Sequence, residues 1–167
     1  MMDRENQKKH RRMPLEGVRI IEYAGFHAGP GATAILGDLG AEIIKVEEAT
    51  GDPMRIWSEL AGLPLEAPNG EGLLFQFTNR NKRSMCLDIH REEGRKIFDR
   101  LIEGADVFLT NLRKSTRIAI GIDYQAISAI NPRIIYACVS GFGPEGPLND
   151  HGAFDPMGQA RSGMMFI

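Results

Sequence analysis

The apolar positions of this chain fall into two alternating rhythms. Val18-Arg19-Ile20-Ile21-Glu22-Tyr23 is β-rich and apolar enough for a buried strand. Residues 25–30 read as a turn. Residues 31–39 then set Ala32, Ile35, Leu36 and Leu39 at helical spacing, and Gly40 stands where a helix-ending glycine belongs. Residues 42–47 form a second apolar strand. So short a connection predicts a right-handed strand–helix–strand crossover. The rhythm repeats downstream. A strand is predicted over 84–89, and a helix over 91–102 with Ile97, Phe98, Leu101 and Ile102 on one face. Gly104 ends that helix, and a strand follows over 105–109. Asp123 reads as the N-cap of a helix through 130, which Asn131-Pro132 stops because the residue before proline avoids the helical region. A buried strand is predicted over 133–139. Strands alternating with helices imply an open, mostly parallel α/β sheet. No repeat or linker interrupts it, and 167 residues suit one domain.

Composition narrows the function classes. Lys and Arg number 20 against 22 Asp and Glu, for a formal charge of −2. A chain so balanced is not a general binder of the nucleic-acid backbone. The basic run within residues 1–13 carries no interleaved aromatic residue for base stacking, so it reads as a solvated, flexible leader. No apolar segment follows it to make a secretory signal. No apolar run approaches the roughly 18 residues of a membrane helix. Cys86 and Cys138 cannot build a disulfide framework, which fits a reducing, cytoplasmic setting. Cys138, inside an apolar strand, reads as a small buried residue. The chain stops on the apolar run Met164-Met165-Phe166-Ile167, an ending that suggests a truncated polypeptide.

The local motifs leave several chemistries open. Gly29-Pro30-Gly31-Ala32-Thr33-Ala34 matches G-x-G-x-x-A, and Glu47 and Glu48 close the next strand where a dinucleotide fold places its ribose-binding acid. Against a nicotinamide cofactor, residues 25–28 separate the motif from the strand, and Pro30 removes an N–H where phosphate needs donors. The plainer reading is a glycine-rich entry to a close-packed helix. The 48–70 segment is irregular, rich in Gly and Pro, and holds the only tryptophan, Trp57; loops this long are more often functional than idle. Ser140-Gly141-Phe142-Gly143 follows a strand end, the edge where open parallel sheets bind ligands. Asp155-Pro156 reads as an N-cap followed by proline at the first helical position. His10, His27, His90 and His151 show no metal-ligand spacing with the cysteines, so no metal is expected.

An ordered set of short motifs resembles the family III CoA-transferases, which include formyl-CoA and carnitine CoA-transferases and the related α-methylacyl-CoA racemases. The set runs over residues 14–167. It comprises Pro14-Leu15-Glu16-Gly17, Ala28-Gly29-Pro30, Leu39-Gly40-Ala41-Glu42, Gly51-Asp52-Pro53-Met54-Arg55 and Asn79-Arg80-Asn81-Lys82-Arg83-Ser84. It continues with Asn131-Pro132-Arg133, Ser140-Gly141-Phe142-Gly143, Phe154-Asp155 and Gln159-Ala160-Arg161-Ser162-Gly163. Together these displace the nicotinamide reading. The resemblance implies a Rossmann-like α/β fold, here the truncated, CoA-binding part of a larger interlocked homodimer. It implies acyl-CoA and a carboxylic acid as substrates and no permanently bound cofactor.

By the same resemblance, an aspartate carboxylate attacks the thioester, forms a mixed anhydride and releases CoA thiolate. Thiolate return and attack by the acceptor carboxylate yield the new thioester. That aspartate is expected beyond Ile167, so residues 1–167 alone are expected not to transfer CoA. They are also expected to leave apolar surface uncovered. Asp155 matches an earlier pocket acid, not the nucleophile. The resemblance places Phe26, His27, Trp57, Phe154 and Asp155 around the acyl pocket, with His27 where formyl-CoA transferase has glutamine. It places Leu87, His90, Asn111 and Thr116 near the CoA nucleotide. Where many members read Asn-x-Arg-Pro-Gly, this chain reads Asn111-Leu112-Arg113-Lys114-Ser115, and the basic residue often found two before Gly121 is Ala119. Phosphate contact is therefore assigned to Arg113 and Lys114, with Arg117 a further candidate. Racemases carry histidine before the aspartate where this chain has Phe154, which favours a transferase over a racemase. A non-catalytic CoA-binding remnant is the alternative from another class.

Overall fold

Strand β1 (Arg19–Tyr23) begins the sheet of a computed structural model that describes residues 12–57, 59–60, 62–68 and 70–166. Helix α1 (Ala28–Asp38) follows, and β2 (Glu42–Glu47) returns parallel to β1. The segment read as irregular holds a 3-10 turn at Pro53–Arg55 and a small antiparallel pair, β3 (Glu59–Leu60) with β4 (Leu63–Pro64). Then come α2 (Leu73–Asn79), β5 (Lys82–Cys86), α3 (Glu92–Glu103), β6 (Val107–Thr110) and α4 (Lys114–Ala119). Helix α5 (Tyr124–Ile130), β7 (Ile135–Cys138) and α6 (Asp155–Ser162) complete the order. The main sheet runs β5-β2-β1-β6-β7 with every pairing parallel.

The leader read at 1–13 lies outside the described residues as far as residue 11. Met13 is described and sits on the turn after α1. Gly40 there has φ +100°, and a Cβ on it would stand 2.5 Å from the Met13 Cβ, so only glycine lets the two segments close.

The two faces of the sheet differ in chemistry. Ile21, Tyr23, Ile44, Val46 and Phe108 face α3 and α5, whose Phe98, Ile102 and Ile127 complete a wholly apolar layer. Residues of the opposite parity face α1 and α2. There Ile20, Ala41 and Ile43 make a small apolar cluster backed by Leu15, Val18 and Leu36. Toward the carboxyl ends of the strands the same face turns polar, with Glu22, Lys45 and Glu47 all buried. Alternation along each strand produces this division, since successive side chains point to opposite faces.

Several expectations need correction. Helix α1 starts at Ala28, three residues before the predicted start, because Pro30 is tolerated in a first turn where its missing N–H is unpaired anyway. The G-x-G-x-x-A match therefore lies inside a helix, not in a phosphate-cradling loop before one. Strand β5 starts at Lys82 and stops at Cys86, whose partner Glu47 is the last residue of β2, so Leu87 and Ile89 belong to the following turn. Strand β7 is an edge strand with Ile135 64% exposed, not the buried strand its composition predicts, and Cys138 is exposed rather than buried. Phe154, not Asp155, is the N-cap residue of α6; Asp155 is its first helical residue, and its carboxylate accepts a hydrogen bond from Gln159. Ile56, Phe77 and Phe166 stand largely in water. No helix among the described residues is long and apolar enough to cross a membrane.

Candidate functional site

The strand order fixes where a ligand belongs. From β1 the chain moves to β2 and β5 on one side, then returns to β6 and β7 on the other. Connections leave β1 and β6 in opposite directions, and the crevice outside their carboxyl ends is where open α/β sheets bind ligands. The segments 24–27 and 111–113 flank that crevice.

The turn after β1 is held from several sides. Asn111 clasps Gly25 reciprocally: its Oδ1 accepts from the Gly25 N–H at 3.1 Å, and its Nδ2 donates to the Gly25 carbonyl at 2.6 Å. Phe26 has φ +62°, a left-handed conformation uncommon outside glycine. Its ring meets that of Phe154 edge-on, centroids 5.4 Å apart and planes at 78°. Gly29 admits the close approach of α1 to the sheet, since a Cβ there would lie 3.0 Å from Leu109 Cδ2 and 3.1 Å from the Ala24 Cβ.

Beneath this turn lies a buried polar network. Lys45 Nζ contacts Glu22 Oε1 at 2.8 Å and Asp52 Oδ2 at 2.9 Å, and donates to the Ala24 carbonyl at 2.7 Å. The Asp52 contact is an ion pair without hydrogen-bond alignment. Lys82 Nζ reaches Glu22 Oε2 and the Pro30 carbonyl, each at 2.8 Å, and Asn79 Oδ1 at 3.1 Å. The Thr33 hydroxyl lies within hydrogen-bond reach of both Glu22 and the Pro30 carbonyl, with one proton to give to either. Burial pulls the Lys82 ammonium down to about 8, against the opposing attraction of Glu22. None of these residues is among those the sequence predicts for the site. A signal was present: Glu22 and Lys45, opposite charges in two apolar strands, are register partners between β1 and β2.

Glu47 is engaged as well. Arg55 forks onto it, Nε to Oε2 at 2.8 Å and Nη2 to Oε1 at 2.7 Å, while Ser84 donates to Oε1 at 2.7 Å and the Asp52 N–H to Oε2 at 3.0 Å. This leaves Glu47 no role on a ribose; Glu48, the other acid of the nicotinamide reading, accepts from the Tyr23 hydroxyl at 3.0 Å. Burial alone would raise the carboxyl's pKa. The Arg55 and Ser84 hydrogen bonds, the Asp52 amide and the Arg55 charge outweigh that and hold it at about 2, down from 4.5. With the folded value depressed, this stability is present above 4.5 and is lost as pH falls toward 2. Arg55→Met is expected to move the acid limb of the unfolding curve, followed by circular dichroism, to higher pH. An unmoved limb would contradict this pairing.

The remaining predicted residues distribute along the same carboxyl edge. His27 is the exposed N-cap residue of α1, and its carbonyl accepts from the Gly31 N–H at 2.7 Å. Trp57 stands 41% exposed beyond the 3-10 turn. Leu87 is only 8% exposed, its side chain in the apolar layer, while His90 is exposed with Nε2 4.0 Å from Glu48 Oε1. Arg113 precedes α4, its guanidinium so close over Gly152 that a Cβ there would lie 2.6 Å from Nη2. Lys114 and Thr116 are exposed on α4. Arg117, by contrast, is half-buried and donates to the Tyr136 hydroxyl at 3.1 Å. The structure thus brings Phe26, Phe154 and Asn111 to one turn and sets His90 and Arg113 on the flanking loops, with Lys114 and Thr116 on α4. Asp150 Oδ1 accepts from the Ser115 N–H at 2.8 Å, fastening the segment before Phe154 across the α4 start. Among the described residues no group of three or more His, Cys, Asp or Glu could hold a metal ion.

Comparison with known proteins matches residues 15–167 to CoA-transferase family III. Succinate–glutarate CoA-transferase of Agrobacterium fabrum is 39% identical over 163 residues, covering 95% of this chain and 40% of that protein. Human succinyl-CoA:glutarate CoA-transferase is 40% identical over 155 residues, covering 92% of this chain and 34% of that protein. The crystal structure of a CAIB/BAIF family protein from Brucella suis superposes with a TM-score of 0.82 at 36% identity, over 93% of this chain and 40% of that one. The chain therefore spans well under half the length of these relatives. With the family match over nearly all of it, the chain belongs to CoA-transferase family III.

Proposed function

We propose that this chain supplies the CoA-binding part of an enzyme that moves CoA from an acyl-CoA thioester to a free carboxylic acid. The observation that carries the reading is the place of Phe26 and His27 just after β1, and of Asn111, Arg113 and Lys114 just after β6, at the switch point of a family III chain. In this reading Arg113 and Lys114 meet the phosphates of the CoA nucleotide, their charges complementing its anionic oxygens. The Phe26 and Phe154 rings give the pantetheine arm and thioester an apolar wall. His27, exposed at the start of α1, donates to an oxygen of the acyl or acceptor group.

The chemistry proposed is the covalent route. An aspartate carboxylate oxygen attacks the thioester carbonyl, the C–S bond breaks, and CoA leaves as thiolate. The thiolate attacks the aspartyl carbonyl of the mixed anhydride and releases the first acid as carboxylate. The acceptor carboxylate then attacks the aspartyl thioester and expels CoA thiolate, giving a second mixed anhydride; the thiolate attacks the acceptor's acyl carbonyl, forms the new acyl-CoA and releases the aspartate carboxylate. The aspartate is placed downstream of Ile167, by resemblance to the family, and the working enzyme is proposed to be a cytoplasmic homodimer. The names of the two relatives make short dicarboxylic acids the first substrates to try.

Transfer itself is the test. The whole gene product, given succinyl-CoA and labelled glutarate, is expected to form labelled glutaryl-CoA and release succinate. No label in any CoA thioester, across glutarate and other mono- and dicarboxylic acids, would overturn the reading.

A further inference from the structure

We propose that the Lys45–Asp52 ion pair is a positioning device that holds the turn bearing Phe26 and His27. The backbone of residues 24–26 makes its hydrogen bonds to side chains drawn from elsewhere. Lys45 takes the Ala24 carbonyl, Asn111 takes both polar groups of Gly25, and Asp52 Oδ1 accepts from the Phe26 N–H at 3.2 Å. An ion pair that only tied β2 to the following loop would need no such contacts. Here both members reach the same turn, on either side of Gly25. Asp52 is itself fixed: Oδ1 also accepts from the Met54 N–H at 2.9 Å, and its own N–H donates to Glu47 at 3.0 Å. Glu47 is locked by Arg55, so the bracket runs from Arg55 through Glu47 and Asp52 to Phe26.

The bracket has a conformation to enforce. Phe26 sits at φ +62°, where a side chain is disfavoured, and this directs its ring onto Phe154. The next carbonyl, that of His27, starts the α1 hydrogen-bond ladder. Releasing Phe26 to an ordinary φ would therefore swing the Phe26 ring and the His27 side chain together. Gly51-Asp52-Pro53-Met54-Arg55 is then a support behind the crevice, and Asp52 is a positioning residue. Its consequence for ligands rests on the proposed CoA-transferase reading; its consequence for the turn does not.

Hydrogen exchange by mass spectrometry on the whole gene product separates the two. In Asp52→Ala, a peptide covering residues 24–31 is expected to exchange about tenfold faster, while peptides from β1 and β6 stay within about twofold of the parent. Asp52→Asn keeps the acceptor and loses the charge, and is expected to fall between; it carries the same comparison if Asp52→Ala does not fold. Phe26→Gly placed on either variant is expected to recover part of the lost stability, because glycine adopts that φ freely. In transfer assays Asp52→Asn is expected to lower kcat with little change in affinity for free CoA. Uniform acceleration of all peptides, or unchanged exchange at residues 24–31 in a folded variant, would overturn the proposal. A parent protein that binds no CoA thioester would sink the functional reading, and the exchange comparison would still decide this one.

Discussion

Lys45→Met is expected to destabilise the fold by about 3–5 kcal/mol, the range for breaking a buried ion pair by removing one partner. Methionine fills much the same volume, so the loss is electrostatic rather than a cavity. Glu22 is fully buried and Asp52 4% exposed, and the Lys45 ammonium lies within 3 Å of both. Lys82 still pairs with Glu22, at 2.8 Å, and attracts Asp52 only from a distance, so Asp52 loses the nearer of its cations. Domains of this size have only about 5–15 kcal/mol in hand, so the variant should lose a large part of its stability. Urea unfolding checks this. Adding Asp52→Asn to Lys45→Met should cost less than the sum of the single changes, since the residues are in contact. A loss under about 1 kcal/mol would mean that the network is solvated in solution.

Phe98→Ala is expected to cost about 3–5 kcal/mol for a different reason. Phe98 is fully buried and is the hub of the apolar layer. Its ring stands edge-on to Tyr23, at 6.3 Å, and to Phe108, at 5.9 Å. Tyr23 and Phe108 lie on the two adjacent strands β1 and β6, and Phe98 lies on α3. The side chain thus couples the helix to the strands that flank the switch point. Truncation removes transfer free energy and leaves a void that the rigid strands cannot close. A thermal or urea transition checks it, with Phe98→Leu as the milder control. Equal stability of the alanine variant and the parent would contradict the packing described.

What the sequence made legible follows from period and punctuation. The apolar runs at β1 and β2 and the amphipathic stripe of α3 are strong because burial on a sheet face leaves a repeating pattern. Helices α2 and α4 were not foreseen. Helix α4 buries nothing, and α2 leaves Leu73 and Phe77 exposed, so neither has an inward stripe to read. Strand β7 was read as buried from composition alone, whereas edge or centre is decided by pairing partners far along the chain. At the site, Phe26 and Phe154 were named by resemblance, and their contact across 128 residues is a tertiary fact. The Lys45–Asp52 pair went unread because a lysine in a strand and an aspartate before a proline each have ordinary local explanations. Only the register with Glu22 and the fold of the 48–57 segment bring them under the Phe26 turn.

CoA thioesters are proposed to bind at the carboxyl edge, over the β1/β6 switch point. Hydrogen exchange of the whole gene product with and without saturating acyl-CoA tests this most directly. Slowed exchange is predicted in peptides covering residues 24–31, 87–91 and 111–119, with no change at the opposite edge around Gly104, Ala105, Asn131 and Arg133. Protection confined to that opposite edge, or none at the three carboxyl-edge segments, would contradict the account.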